Sequence, residues 1–223
     1  MADNGRMAGW TLRGGVGAHV DTEIEVRRSR FITRLERVDT EEAARDAIQR
    51  VRKRYPDARH HCTAFVVGAD QTNQVRRSND DGEPSGTAGA PMLDTLTGAA
   101  LVDCVAVVTR YFGGVLLGTG GLTRAYSDAV SSAIEQASTA PGFVRRVLRS
   151  RFALELPHAD AGRVEAELRS RDIDVLGAQY GAAVTLSLAG DEDELASLVA
   201  AATGGGGILV PQGNEWVDEE GGD

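Results

Sequence analysis

The residues best equipped for chemistry stand together in RYFGGVLLGTGGLTRAY, where Arg110 and Arg124 flank five glycines, Gly113, Gly114, Gly118, Gly120 and Gly121. Glycine admits positive φ and lets a ligand approach the main chain, and the first N–H groups of a following helix lack an intrahelical acceptor. An anion is the ligand that suits such a segment. Arg124 falls in the first turn of the helix expected from Leu122, where a positive side chain opposes the macrodipole unless a negative group shares the space. Taken alone, the glycines are explained equally well by a tight turn and close packing.

A second group is DDGEPSGTAG, Asp80 to Gly89. Its acids Asp80, Asp81 and Glu83 have the chemistry for a divalent metal or for acid–base work. Acids in a Gly/Pro loop also form Asx-turns and cap the next helix, and no HExxH or DxDxDG spacing accompanies these three. Capping, or pairing with a nearby arginine, is therefore the first assignment, and a metal-dependent phosphoryl-transfer or hydrolytic enzyme is the alternative. Ser85, Gly86 and Thr87 join the candidate anion-binding set. His60 and His61 enter a strand that sends them to opposite faces, so at most one, taken as His61, supports the site. Tyr111 and Tyr126 bracket the glycine loop and are assigned the same supporting role. No metal and no cofactor is assigned. Dinucleotide, P-loop and nucleophile-elbow spacings are absent, and Leu117–Leu122 is only loosely similar to the phosphate loops of small-molecule kinases.

The elements that must position these groups follow from periodicity. Ile24–Val38 alternates as a hairpin. Thr40 is an N-cap for a helix with Glu41 and Glu42 early, bases late and Tyr55-Pro56 at its end. Cys62–Val67 reads as an inner strand and Val75–Ser78 as an edge strand. Pro91–Leu96 reads as a helix and the β-branched run Val102–Thr109 as a central strand. Leu122, Tyr126, Ala129, Val130, Ala133 and Ala137 share one helical face. After the breaker STAPG, the pattern is β-α-β-β-α-β, a ferredoxin-like unit.

The chain has 223 residues with 42% hydrophobic and 26% charged content, enough for two small domains. No apolar run reaches membrane-spanning length and the first residues lack the hydrophobic stretch of a signal peptide, which makes the cytoplasm the expected location. Cys62 and Cys104 lie in apolar runs and read as buried free thiols. A net charge of −9 argues against coating nucleic acid by bulk attraction. Arg27–Arg59 is nevertheless locally basic, either a partner-facing surface or a solvated helix face. Lys53 is the sole lysine, so phosphate contacts would use guanidinium forks.

HHCTAFVVG from His60, DDGEPSGTAG and RYFGGVLLGTGGLTRAY resemble, in this order, the signature blocks of the IMPACT family, bacterial YigZ branch. The resemblance runs from about Val20 to Val217 and implies an α+β fold of two two-layer domains. The N-terminal one would be like a small-subunit ribosomal protein domain and elongation factor G domain IV, the ferredoxin-like C-terminal one like domain V of that factor. Both of those relatives touch ribosomal RNA. Eukaryotic members regulate translation by competing for an activator of the kinase that phosphorylates an initiation factor, without catalysing a reaction. The expected domains are residues 20–139 and 140–217, after a disordered 1–19 and before an acidic tail, 218–223. Ala90 and Leu116 stand where lysines often occur in enterobacterial members, which removes two phosphate contacts. The resulting expectation is a non-enzymatic, translation-associated regulator that engages RNA, the ribosome or a translation-related protein through the Gly/Arg site. Its oligomeric state is left open.

Overall fold

The computed structural model describes residues 7–69, 73–140, 142–171 and 173–220. The chain divides into two units inside one long strand, between Arg146 and Val147.

The first unit is built on an antiparallel sheet ordered β2 (His19–Val26), β3 (Ser29–Arg37), β6 (Cys104–Tyr111), β4 (His60–Val67) and β5 (Val75–Asn79). The β-branched run takes the centre, where β6 is buried on both faces, and Arg76 and Arg77 lie on an edge strand, as their polarity requires. One face packs on α2 (Gly89–Gly98) and α3 (Thr119–Thr139) through Phe31, Leu35, Met92, Leu96, Tyr126 and the alanines of α3. The apolar stripe of α3 is the one its sequence spells, Leu122 through Ala137. On the other face α1 (Glu41–Arg54) seats Ala44, Ala47 and Val51 against Phe65, Val67, Val105 and Val107, a partial third layer. Thr40 caps α1, its Oγ1 accepting from Ala43 N at 3.1 Å.

Residues 1–19 differ from the expectation of disorder. Residues 1–6 lie outside the described residues, but Met7–Leu12 is a strand, β1. Trp10 N donates to Ala100 O and Val102 N to Trp10 O, both at 2.9 Å, and Leu12 is fully buried. Only glycine fits at position 9, since a Cβ there would lie 2.3 Å from the Ala100 carbonyl oxygen.

The second unit is ferredoxin-like, as the β-α-β-β-α-β pattern predicts. β7 (Phe143–Leu156), α4 (His158–Ser170), β8 (Asp174–Tyr180), β9 (Val184–Gly190), α5 (Glu192–Thr203) and β10 (Leu209–Glu219) give a sheet in which β7 lies between β9 and β10, with β8 outside β9. Its core joins Phe152, Leu154, Leu186 and Leu188 to Val164, Leu168, Leu195 and Val199. β10 runs well beyond the short strand expected near Ile208 and takes in Asp218 and Glu219, so the acidic tail is partly strand; 221–223 lie outside the described residues.

Candidate functional site

β6 delivers Arg110 to the end of the sheet, and there the guanidinium turns inward rather than toward solvent. Its side chain is 7% exposed, and Nη1 donates to Glu83 Oε1 at 2.6 Å, the Glu83 side chain being 4% exposed. Phe31 and Phe112 hold the guanidinium from two sides, with ring centroids 5.6 and 5.7 Å away. Tyr126, fully buried in α3, donates its hydroxyl to the same Glu83 oxygen at 2.8 Å. Arg110 therefore differs from the expected anion contact. A charge this deeply desolvated needs a partner within reach, and Glu83 is that partner.

The DDGEPSGTAG loop is likewise closed on itself. Asp80 accepts from the amides of Gly86 at 2.8 Å, Ala88 at 3.0 Å and Gly89 at 2.8 Å, so its carboxylate fills the anion position at the start of α2. Burial pushes the Asp80 carboxyl up, but the amides outweigh it and hold the group below its ordinary value. Asp81 bridges Arg52 Nη2 at 2.6 Å and the His61 amide at 2.7 Å. Thr87 turns both its amide and its hydroxyl onto Pro84 O, and Ser85 remains exposed. Asp80, Asp81 and Glu83 thus take the capping and arginine-pairing roles. Among the described residues no group of three or more His, Cys, Asp or Glu is arranged to hold a metal ion.

The supporting residues brace this arrangement. His61 is buried and shares a hydrogen bond with Thr109 Oγ1 at 3.0 Å, whereas His60 reaches Asp81 O on the other side. Burial holds the His61 imidazole below its ordinary value, Asp81 opposing and Arg52 adding to the depression. The Cys62 thiol lies 3.0 Å from Asp80 O and 3.3 Å from Tyr126 Oη, and burial pushes it up to about 12. Tyr126 is raised as well, first by burial, then by Cys62 and Glu83. Tyr111 faces outward, donating to Asp57 at 2.8 Å with Arg30 stacked over its ring.

The glycine loop divides in two. Gly113 is committed: its amide donates to Ser29 Oγ at 3.2 Å, and a Cβ there would lie 2.0 Å from Arg28 C and O. The start of α3 is open. Gly118 is the N-cap, with φ of 72° and no side-chain cap. Leu122 N bonds Gly118 O at 2.9 Å, but among the described residues nothing accepts from the amides of Thr119, Gly120 and Gly121. Arg124 is exposed one turn along, and no described carboxylate pairs with it. Gly114 is also exposed, at φ of 82°.

The locally basic interval is mostly neutralised within the molecule. Arg30 pairs with Glu23, Arg34 and Arg54 with Asp21, Arg45 with Glu41, Arg50 with Glu36 and Arg52 with Asp81. Sequence reasoning did not find Arg52, Thr109, Ser29 or Phe31 as site neighbours. For Phe31 and Thr109 the signal is strand register, which sets Phe31 beside Arg110 and His61 beside Thr109, whereas Arg52 comes from helix α1 and Ser29 from the start of β3.

Fold and site together define a two-domain α+β protein in which two signature loops lock onto a sheet end and leave one helix start open. Residues 27–134 match the Impact N-terminal domain family, and residues 154–203 match a domain of unknown function, DUF1949. IMPACT family member YigZ of Escherichia coli (strain K12) is 42% identical over 165 residues, which are 74% of this chain and 79% of the relative. IMPACT family member YvyE of Bacillus subtilis (strain 168) is 45% identical over 147 residues, 66% of this chain and 65% of that one. A crystal structure of a hypothetical protein superposes with a TM-score of 0.65 at 36% identity, covering 91% of this chain and 96% of the other. The chain belongs to the IMPACT family, in its bacterial YigZ branch.

Proposed function

We propose that this protein is a non-enzymatic, cytoplasmic regulator associated with translation, and that it engages RNA, the ribosome or a translation-related protein through the open start of α3. One observation carries the reading. The other charged groups of the two signature loops, Asp80, Asp81, Glu83 and Arg110, all have internal partners, but Arg124 and the Thr119, Gly120 and Gly121 amides beside it have none among the described residues. Helix-terminal amides beside a guanidinium favour an anionic group of a partner, phosphate or carboxylate. Membership of the family supplies the link to translation, through the role of its eukaryotic members.

The enzymatic alternative draws no support from the loop acids. Asp80, Asp81 and Glu83 are each engaged by separate donors and face separate neighbours, so they lack the convergence a bridging metal needs.

A reconstituted translation reaction tests the proposal. Adding the wild-type protein is expected to change the rate of product formation, and Arg124→Glu to remove the effect while leaving the circular dichroism spectrum unchanged. No response to the wild-type protein at saturating concentration overturns it.

A further inference from the structure

The end of the sheet that carries the α3 start also carries a compact surface with features an anion alone does not explain. The hairpin between β2 and β3 turns through Arg27 and Arg28, with φ of 48° and 67°. A two-residue turn with positive φ at both central positions is one that Asn-Gly fills without strain, so two arginines there hold an unfavourable conformation, and such strain concentrates at functional positions. Both are exposed and, among the described residues, neither is ion-paired.

The backbone of Arg28 lies directly against Gly113, which places this tip beside the loop between β6 and α3. That loop exposes Phe112 (53%), Val115 (38%) and Leu116 (81%). Arg59, exposed and also without an ion pair among the described residues, immediately precedes the His60–Arg110 register pair at the same sheet end. Exposed apolar side chains on one loop, with unpaired arginines on the segments next to it, fit a protein-binding hot spot, in which a desolvated patch is ringed by polar contacts. The carboxylates nearby are already used: Asp80 by amides, Asp81 by Arg52, Glu83 by Arg110 and Asp57 by Tyr111. Glu25 and Asp128 remain as exposed acids at its edges.

We infer that Phe112, Val115 and Leu116, rimmed by Arg27, Arg28, Arg59 and Arg124, form a docking surface for a protein partner that presents an apolar pocket edged by Asp or Glu carboxylates. This deepens the proposed function and rests on it. Nucleic acid fits less well. Single strands are held by successive aromatic platforms, whereas here Phe112 has Arg110 already on one side and the neighbouring Tyr111 ring is covered by Arg30. Two exposed aliphatic side chains gain nothing against a sugar–phosphate backbone, and a net charge of −9 gives no long-range pull toward a polyanion.

The test uses the full chain carrying a photoreactive benzophenone side chain at position 116, irradiated in lysate of its own organism with and without ribonuclease. Adducts are identified by mass spectrometry, and the adduct protein is purified and titrated against the wild type, Leu116→Asp and the Arg27→Glu/Arg28→Glu double variant. The expected result is a ribonuclease-resistant protein adduct whose contacted segment holds Asp or Glu beside apolar residues, with affinity lowered about tenfold or more by each variant. Adducts to RNA, adducts lost with ribonuclease, no adduct, or an affinity indifferent to Leu116→Asp each overturn the inference. Because position 116 is 81% exposed, the aspartate leaves the fold intact, which circular dichroism verifies. If translation responds to Arg124→Glu while the adducts at 116 are RNA, the proposed function stands and the protein partner falls.

Discussion

Replacing Glu83 with alanine removes the one carboxylate among the described residues that pairs with Arg110. The guanidinium would keep its place between Phe31 and Phe112 and a long 3.5 Å contact to Ser29 Oγ, with Nε already lacking an acceptor. Tyr126 would lose its acceptor in the same step. Stripping one partner from a buried ion pair costs about 3–5 kcal/mol, because the remaining charge stays desolvated. With a urea slope of about 1.5–2 kcal/mol per molar, the midpoint falls by roughly 2 M. The assay is urea unfolding followed by tryptophan emission in a Trp216→Phe background, so that the signal comes from Trp10, packed on the core that holds Tyr126. The double variant Glu83→Leu/Arg110→Met should recover most of the loss, since well-packed apolar replacements of a buried pair are near neutral. A Glu83→Ala cost below about 1 kcal/mol, the level of an exposed ion pair, would refute the reasoning.

Other consequences are equally direct. Asp80→Ala strips the cap from three amides at the start of α2 and should cost about 1–2 kcal/mol, read as a lower urea midpoint and faster hydrogen exchange at Gly86, Ala88 and Gly89. The folded state holds His61 below its ordinary 6.5, so the unfolded chain binds a proton first. Stability is therefore full above pH 6.5 and declines as pH falls below it, and a His61→Gln variant should show a flatter thermal-midpoint profile between pH 6.5 and 5. With its thiol pushed to about 12, Cys62 should resist iodoacetamide at pH 8 until denaturant is added, and rapid labelling of the native protein would contradict the buried geometry. Gly113→Ala must displace the hairpin tip at Arg28 and should destabilise by about 1–3 kcal/mol or more, seen in the same urea series.

What could be read from the sequence was whatever a single element decides for itself. Thr40, the early glutamates and the late arginines mark α1 without help from the rest of the chain, and the β-branched run of β6 marks a central strand. β1 escaped because MAGWTL is short and set among glycines, and its place depends on the Ala100 carbonyl ninety residues on. At the site, the acids of the second block read as caps and arginine partners, which is where Asp80, Asp81 and Glu83 are found. Which arginine meets which acid was not legible. Arg110 ends an apolar strand and Glu83 sits in an irregular loop, and only the tertiary fold brings them to 2.6 Å. Arg124 differs because no described residue pairs with it. Helical spacing alone put it outside the buried stripe of α3.

The carboxylate that Asp80 lends to the start of α2 makes this loop a receptor occupied by its own tethered counter-ion. A free phosphate would have to compete with a group held at very high effective concentration, so added salt or nucleotide leaves the turn undisturbed. Deleting that side chain, as in Asp80→Gly, would turn the turn into an adjustable one: small carboxylates such as formate or acetate, supplied from solution, would then act as a dial on local order.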